Sequence, residues 1–380
     1  MSTQLRIPSR SHLTIERVKP KILILSASFG DGHNSAARHL AQALEEKAET
    51  LVADPCHIGN PRINAFLCKA YREITTYTPK IWAWMYRSTD RQDFSKPLPF
   101  LTKTEDAVAN LLNRFEPDLV VNTYPLYPYM VDRQFSIWRR VPIITIVTDS
   151  IEINAAWTRS PSDYFLITDD HTREELITSN LPKEKMNITG FPVSPRFESL
   201  EKVAPNDPLN PFRILFFPTA RSPHVTGIIK AALSHENHIT VILGRNVRRL
   251  YRKLQPLKKS FPGRIHIKGW TRKVPELLSS HHLVIGKAGG ATVHEAIAAQ
   301  CPMLVHQIVP GQEEGNIELL NRFQTGSLAT SAKTIRESIS NLLADDATLW
   351  REQKKRLAQH ARPSAAREAA KFILSKVKPS

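Results

Sequence analysis

The first stretch that could carry chemistry is SASFGDGHNSAARHLAQAL, residues 26 to 44, which follows the apolar run KILIL. Gly30 and Gly32 allow the backbone to approach a ligand closely, and the start of the following helix offers free N–H groups. His33 is a candidate general base, because an imidazole titrates near the pH at which most enzymes work. The stretch lacks the third glycine of a dinucleotide-binding loop and the lysine of a phosphate-binding loop. Two interpretations stay open, a catalytic histidine beside a ligand or a structural histidine at a helix start.

The second stretch, LVIGKAGGATVHEA, predicts a strand, a tight turn at Gly289 and Gly290, and a helix from Ala291. The N–H groups at this helix start, the Thr292 hydroxyl and the Lys287 ammonium suit the binding of a diphosphate. This stretch therefore predicts an anion site.

Polar residues near this turn extend the predicted site. Glu295 lies about one turn into the helix, where a carboxylate could accept hydrogen bonds from ribose hydroxyls. The next strand, MLVHQ, ends in the loop PGQEEGN, whose Gln312 and Glu313 could bond a hexose. A plain strand, turn and helix would share some of these features, but their combination predicts a nucleotide-sugar site.

Charge is concentrated in the second half of the chain. The net charge is +16, with 24 basic and 23 acidic side chains up to residue 200 and 28 and 13 after it. Eleven Lys and Arg and no acid lie between residues 237 and 275. Such a field attracts phosphates on a nucleotide, a nucleic acid or an anionic lipid surface, although a solvated basic face would look the same.

Several classes of protein are disfavoured by composition. No apolar run approaches the roughly 18 residues of a membrane span, and the first twenty residues lack the apolar core of a signal peptide, so we expect a cytoplasmic protein. Cys56, Cys68 and Cys301 are too few and too dispersed for a disulfide framework or a zinc site, and we expect buried free thiols.

Elements that would position these residues alternate along the 380-residue chain, which is long enough for two domains. Apolar strands such as KILILSA, DLVVN and PIITIVTD alternate with helices predicted at 34 to 48, at 61 to 75 and from 170, and the alternation restarts with RILFFP after a Pro-rich linker at 199 to 211. We predict an α/β protein of two Rossmann-like doubly wound domains facing a cleft, residues 1–200 and 201–380. The second domain would bind the nucleotide-sugar and end in a basic helix.

One segment, residues 77 to 103, breaks this alternation. It clusters Trp82, Trp84 and Tyr86 among basic residues. Aromatic side chains mixed with cations suit a membrane interface or a groove for a lipid acceptor. The alternative is a helical excursion that packs its tryptophans into the core.

Across roughly residues 20 to 330, the chain resembles the GT-B glycosyltransferases that include monogalactosyldiacylglycerol synthase and the processive diacylglycerol glucosyltransferases. It is also similar to the enzyme that adds N-acetylglucosamine in forming lipid II. The motifs that carry the resemblance are GDGHNSAA, TD with a later tryptophan (148 to 157), GFPVSPRF, LGRN, KGW, KAGGATVHEA and PGQEEGN.

The resemblance implies roles for matching positions. His33 would be the base on the acceptor side, with Asp149 as the rival base or the group that orients it, and Gly30, Gly32, Trp82 and Trp84 would lie on the acceptor side. The donor side would comprise Arg221, Arg245, Asn246, Trp270, Lys287, Gly289, Gly290, Ala291, Thr292, Glu295, Gln312, Glu313 and Asn316.

Three positions depart from the family pattern. The turn PTARSPH, residues 218 to 224, lacks the usual glycines, so Arg221 would supply charge in their place. Asn154 stands where a histidine is usual, and Ala288 replaces a proline.

The implied reaction is inverting transfer of a hexose from a UDP-sugar to a hydroxyl of a membrane lipid such as diacylglycerol, with no cofactor or metal required. The enzyme would dock peripherally on the anionic cytoplasmic face of a membrane. The alternatives are a UDP-sugar epimerase of the same fold, or a nucleotide-sugar or lipid-binding protein with impaired catalysis. Nucleic-acid binding would leave the loop PGQEEGN unexplained, and we expect no nucleic-acid partner.

Overall fold

The computed structural model describes residues 19–219, 224–244 and 247–377. The predictions for Arg221, Arg245 and Asn246 lie outside the described residues.

The first half of the chain forms a six-stranded parallel sheet in the order β2-β1-β3-β4-β5-β6. Its strands are β1 (Lys21–Leu25), β2 (Glu49–Ala53), β3 (Leu119–Asn122), β4 (Ile143–Ile146), β5 (Tyr164–Ile167) and β6 (Met186–Ile188). Its helices are α1 (Asp31–Leu44), α2 (Pro55–Gly59), α3 (Pro61–Tyr77), α4 (Pro79–Ser88), α5 (Thr102–Phe115), α6 (Tyr127–Gln134), α7 (Ala155–Thr158) and α8 (Asp170–Thr178).

The second half repeats the architecture in the order β12-β11-β10-β7-β8-β9, again parallel. Its strands are β7 (Arg213–Phe216), β8 (His238–Ile242), β9 (Ile265–Lys268), β10 (Leu283–Lys287), β11 (Met303–Gln307) and β12 (Gly326–Leu328). Its helices are α9 (Val225–Ala232), α10 (Val247–Ser260), α11 (Val274–Ser280), α12 (Gly290–Ala298), α13 (Glu314–Phe323), α14 (Ala332–His360) and α15 (Ala365–Lys376). The predicted pair of Rossmann-like sheets is confirmed.

Strand β1 shows why the apolar runs are nearly continuous. Ile22 and Ile24 pack in one core cluster with residues of α1, whereas Leu23 and Leu25 pack in another with residues of α5 and α6. Successive side chains of a strand point to opposite faces, so a strand covered by helices on both sides needs apolar residues at every position.

In each sheet, the strand order reverses at one point. The reversal lies between β1 and β3 in the first sheet and between β7 and β10 in the second. Ligands of open α/β sheets bind beyond the carboxyl ends of the strands at such reversals. The loops that follow β1 and β10 contain the two glycine turns singled out from the sequence.

Helix α1 begins three residues earlier and ends four residues earlier than predicted. Gly30 has φ of +92° and immediately precedes the helix, and no side chain caps its first turn. His33 therefore lies in the first turn of α1.

The C-terminal helix α15 returns to the first sheet. Its Ala369, Ala370 and Ile373 pack in one core cluster with Leu40 and Leu44 of α1. The chain thus passes between the two sheets twice, after β6 and again after α14. The boundary predicted near residue 200 describes only the first passage, and it remains a proposal.

Candidate active site

A cleft of about 1180 Å³ lies between the carboxyl edges of the two sheets. Its first wall includes Phe29, Gly30, Asp31, Gly32, His33, Lys69, Tyr71, Arg72, Glu73, Thr76, Thr148 and Asp149. Its second wall includes Thr219, His224, Lys287, Gly289, Gly290, Ala291, Thr292, Gln307, Gln312, Glu313 and Asn316. Most of the predicted acceptor-side and donor-side residues therefore share one cavity.

His33 is buried in the first wall. Its Nδ1 lies 3.0 Å from the Thr148 hydroxyl, and the Thr123 carbonyl also faces the ring. Burial lowers the pKa of His33 to about 4, because the desolvated ring favours its neutral form. A neutral imidazole can accept a proton, but one with this pKa is a weak base near neutral pH.

Asp149 follows β4 and is the second candidate base of this wall. Trp157 donates its indole N–H to Oδ2 at 2.9 Å. Burial raises the pKa of Asp149 to about 6, while the hydrogen bond from Trp157 opposes the rise. The Trp157 ring also lies 6.1 Å from the His33 ring, centroid to centroid. The two candidate bases therefore share one neighbour.

The second wall places a cation beside the start of α12. No side chain caps this helix, so the N–H groups of Gly290 to Thr292 have no side-chain acceptor there. Lys287 Nζ lies 2.7 Å from Glu313 Oε1, and Val309 donates its backbone N–H to Glu313 Oε2 at 2.8 Å. Burial raises the pKa of Glu313, and Lys287 opposes that rise. This wall can hold an anion at the helix start and Lys287.

The loop before α13 contacts the opposite wall. Tyr71 of α3 donates its hydroxyl to Gln312 Oε1 at 2.9 Å. Asn316 Nδ2 donates to the Ala288 carbonyl at 2.8 Å, whereas its buried Oδ1 has no partner among the described residues. Side chains of both walls therefore meet where the sequence predicts a hexose.

Tyr71 was not predicted as a site residue. Lys69, Arg72, Glu73 and Thr76, on the same helix, also line the cleft. Their spacing of three and four residues places them along one helical face, a signal that the sequence contains. The spacing does not show which part of the protein or which ligand this helical face contacts.

Glu295 is placed differently from its neighbours. It is absent from the described lining of the cleft, and the charge that acts on it is that of Arg38 on α1. Burial raises the pKa of Glu295 to about 7. The ribose contact proposed for Glu295 stays a prediction.

The predicted tryptophans also lie outside the described lining of the cleft. Trp270 is 52% exposed, with the Arg272 guanidinium 5.6 Å from its ring centroid. Trp84 is 71% exposed, whereas Trp82 stacks edge-on against Tyr71 at 4.9 Å. The aromatic cluster is therefore divided between the two faces of α4.

Backbone contacts between the halves explain three glycines. A Cβ on Gly290 would lie 2.9 Å from the Thr148 carbonyl oxygen, and one on Gly315 would overlap the Ser150 carbonyl oxygen. Gly311, with φ of +81°, packs against Ala83 of α4. The second wall can approach the first this closely because these positions have no side chains.

Asn154, one of the departures from the family pattern, makes structural hydrogen bonds with both its polar side-chain atoms. Its Oδ1 accepts the Ala156 N–H at 2.9 Å and caps α7, and its Nδ2 donates to Thr89 Oγ1 at 2.9 Å. The residue joins the loop after Asp149 to the end of α4.

Metal ligands and cysteines are the remaining groups that the sequence brought into question. No group of three or more His, Cys, Asp and Glu side chains within the described ranges could hold a metal ion. All three cysteines are free, but only Cys301 is buried; the prediction was wrong for Cys56 on α2 and Cys68 on α3, which are half-buried.

Comparison with known proteins supports the motif-based resemblance. Residues 33–193 match the family model described as monogalactosyldiacylglycerol (MGDG) synthase. The processive diacylglycerol beta-glucosyltransferase of Bacillus subtilis (strain 168) is 24% identical over 345 residues, covering 88% of this chain and 90% of that protein.

Solved structures support the fold. The glycotransferase of kitacinnamycin superposes with a TM-score of 0.63 at 12% identity, covering 95% of this chain and 100% of the other. MurG of Acinetobacter baumannii superposes with a TM-score of 0.61 at 15% identity, covering 94% and 100%. The chain has the two-domain GT-B fold, its residues 33–193 match the MGDG synthase family model, and over most of its length it is similar to the processive diacylglycerol glucosyltransferases.

Proposed function

We propose that the protein transfers a hexose, with inversion, from a UDP-sugar to a hydroxyl of a membrane lipid such as diacylglycerol. The observation that carries this proposal is a single cleft with two candidate bases on one wall and an uncapped helix start with Lys287 on the other. The relatives' names supply the acceptor class.

The chemistry needs two groups on opposite sides of the sugar. Asp149 or His33 removes the proton of the acceptor hydroxyl as its oxygen bonds to the anomeric carbon. The bond from that carbon to the diphosphate breaks, and UDP leaves with the bonding electrons. The N–H groups at the start of α12 and Lys287 stabilise the developing negative charge. Gln312, Glu313 and Asn316 would hold the hexose between these groups.

Membrane docking is supported by an apolar surface on α3 and α4. Ile63, Phe66 and Leu67 are exposed on α3, and Ile81, Trp84 and Met85 are exposed on α4. Exposed apolar side chains gathered on two neighbouring helices are typical of an interaction site. Arg62, Lys69 and Lys80 are exposed on the same two helices, and their charges favour an anionic leaflet. Because α3 also lines the cleft, we infer that docking brings the cleft to the lipid.

The basic residues of the second half form a separate surface. Helix α10 buries Leu250, Leu254 and Leu257 and exposes its cations, so it can also attract anionic lipid. Near the C-terminus, Lys354 does not add to a basic surface, because it is buried and donates to the Gln300 carbonyl at 2.6 Å.

No helix in the described part of the chain is long and apolar enough to cross a bilayer. We propose reversible attachment to the cytoplasmic face through the α3 and α4 surface. UDP-sugar, acceptor lipid and an anionic membrane surface are the partners in this proposal.

The test is an assay with labelled UDP-sugars and vesicles that contain diacylglycerol and anionic phospholipid. We expect UDP release and a labelled glycolipid in equal amounts from one preferred UDP-sugar. An isomerised UDP-sugar formed without acceptor would identify an epimerase. Donor binding without turnover would identify a binding protein, and either result would overturn the proposal.

A further inference from the structure

The loop proposed to hold the hexose, residues 310 to 316, contacts helix α4 of the other half of the molecule. Arg87 Nη2 lies 3.5 Å from Glu314 Oε2, and a Cβ on Gly311 would lie 3.3 Å from Ala83 Cα. Ala83 is the buried residue of α4, so the loop covers the inner face of this helix. The first half of the chain therefore contacts the loop beside the place proposed for the sugar.

Tyr71 of α3 makes the contact that reaches a predicted sugar ligand. Its hydroxyl donates to Gln312 Oε1 at 2.9 Å. Burial raises the pKa of Tyr71, so the phenol keeps the proton that it donates. The Trp82 ring packs edge-on against the phenol ring, with the two centroids 4.9 Å apart. The hydroxyl is therefore held by packing as well as by its bond to the amide.

This bond decides which end of the Gln312 amide can meet a ligand. A carboxamide has one oxygen that accepts and one nitrogen that donates. Because Oε1 accepts from Tyr71, Nε2 is the end that remains for the cleft. Asn316 is oriented in the opposite way, since its Nδ2 donates to the Ala288 carbonyl and its buried Oδ1 has no partner among the described residues. The loop thus offers one donor and one acceptor, and sugar hydroxyls can bond both.

We propose that Tyr71 is a positioning residue that fixes the Gln312 amide with Nε2 towards the hexose, so that the hexose site depends on both halves of the molecule. The proposal rests on the proposed function, which places the hexose at Gln312. The nucleotide is held by the helix start and Lys287 of the second wall, with which Tyr71 makes no hydrogen bond. Tyr71 therefore affects the affinity for the sugar and leaves the affinity for UDP unchanged.

The test is calorimetry of the full chain with UDP, UDP-glucose and UDP-galactose. Tyr71→Phe should weaken binding of the preferred UDP-hexose by about three- to tenfold, the scale of one lost hydrogen bond, and leave UDP affinity unchanged. Tyr164→Phe is the matched control, because it also removes one phenol hydroxyl but packs against Phe372, outside the described lining of the cleft. Equal weakening of UDP and UDP-hexose binding in Tyr71→Phe would indicate a general loss of structure and overturn the proposal.

A double-mutant cycle shows whether Tyr71 acts through Gln312. Gln312→Met should itself weaken binding of the UDP-hexose. In that background, Tyr71→Phe should weaken it no further, because residues that act as one unit do not have additive effects. Additive losses would mean that Tyr71 acts by another route, and the proposed positioning role would fail.

The same measurements separate this proposal from the proposed function. If the wild-type protein binds a UDP-hexose but transfers no sugar to vesicles containing diacylglycerol, the proposed function fails, and the binding cycle still decides the role of Tyr71. If the wild type transfers sugar and Tyr71→Phe binds the UDP-hexose as tightly as the wild type, the role of Tyr71 fails alone.

Discussion

The two candidate bases differ in how well their acidity suits the reaction. Neutral His33, with a pKa near 4, gains little by accepting a proton at neutral pH, whereas Asp149, with a pKa near 6, is closer to the working range. A general base is most effective when its pKa lies near the operating pH. On this ground we propose Asp149 as the first candidate for the base and keep His33 as the alternative.

The pH dependence of kcat discriminates between the two residues. A base acts when deprotonated, so the rate should rise as pH increases through the pKa of that base. We expect the acidic limb of the kcat profile to lie near pH 6. In Asp149→Asn we expect kcat to fall by about a hundredfold or more, the scale of general-base removal. A limb near pH 4, with Asp149→Asn nearly as active as wild type, would return the role to His33.

The ion pair of Lys287 and Glu313 predicts opposite effects on nucleotide affinity. Lys287→Met should weaken UDP binding by about 1 to 3 kcal/mol, because a hydrogen bond to a charged group is lost. Glu313→Gln should strengthen UDP binding, since the ammonium no longer has a competing carboxylate, and should weaken discrimination for the sugar. Calorimetry with UDP measures both.

Lys333→Met is the matched control, because Lys333 is highly exposed and pairs only loosely with Glu337 at 3.9 Å. Equal UDP affinity in Lys287→Met and Lys333→Met would remove Lys287 from the anion site.

At the scale of elements, the strands and glycine turns were predictable because each is encoded locally. A doubly buried strand requires a continuous apolar run, and a turn that admits a ligand requires glycine. The edge strands β6 and β12 were missed, since each has three residues and no buried run. The contact between Tyr71 and Gln312 spans 241 positions, and no local pattern encodes it.

The aromatic segment shows the same limit. Helical spacing separates Trp82 and Tyr86 from Trp84, but it does not show which face meets solvent. The structure turns Trp82 inward, so its removal tests the fold rather than the membrane.

The outer face of α3 and α4 predicts vesicle binding. Phe66 and Trp84, at 69% and 71% exposure, should insert into the interface. Phe66→Ser with Trp84→Ser should reduce sedimentation with anionic vesicles by at least about tenfold, because each buried aromatic contributes roughly 1.5 to 3 kcal/mol. The control is Ile137→Ser, which removes an 81% exposed residue outside these helices. Equal loss in the control, or full binding by the double variant, would contradict the docking surface.

Gly315 marks the closest approach of the two walls. Because a methyl group there would overlap the Ser150 carbonyl oxygen, Gly315→Ala should hold the walls apart. We expect retained UDP binding but about a hundredfold lower kcat/KM, the scale of a small misalignment of reacting groups. Gly227→Ala is the control, since its Cβ meets only Ala332 at an ordinary 3.6 Å. Wild-type kinetics in Gly315→Ala would show that closure does not need this contact.

At the scale of the whole molecule, acid should destabilise the fold. Burial lowers the pKa of five histidines, to about 4 or, for His282, about 3; they are His33, His39, His281, His282 and His294. Between about pH 4 and 6.5 the unfolded chain binds more protons at these sites, so stability increases with pH. At pH 5, each of these histidines lowers the free energy of unfolding by roughly 1 to 2 kcal/mol.

Asp149 and Glu295 act in the opposite sense, because burial raises their pKa values to about 6 and about 7. The folded chain binds more protons at these two sites, and their contribution to stability falls as pH rises. The histidines are more numerous, so the urea midpoint should decrease from pH 7 to pH 5. A midpoint that increases on acidification would contradict the dominance of the buried imidazoles.

The two passages of the chain between the halves meet at one place. A Cβ on Gly190, just after β6, would lie 2.9 Å from Ala365 Cβ and 3.0 Å from Arg362 Cδ, just after α14. Neither segment is among the described residues that line the cleft. The two crossings therefore pack against each other away from the cleft, and a slight rotation of one half about this contact would become a larger displacement of the cleft walls. A substitution at Gly190 touches neither substrate, yet it would change how often the two walls close on each other and so alter kcat and KM together.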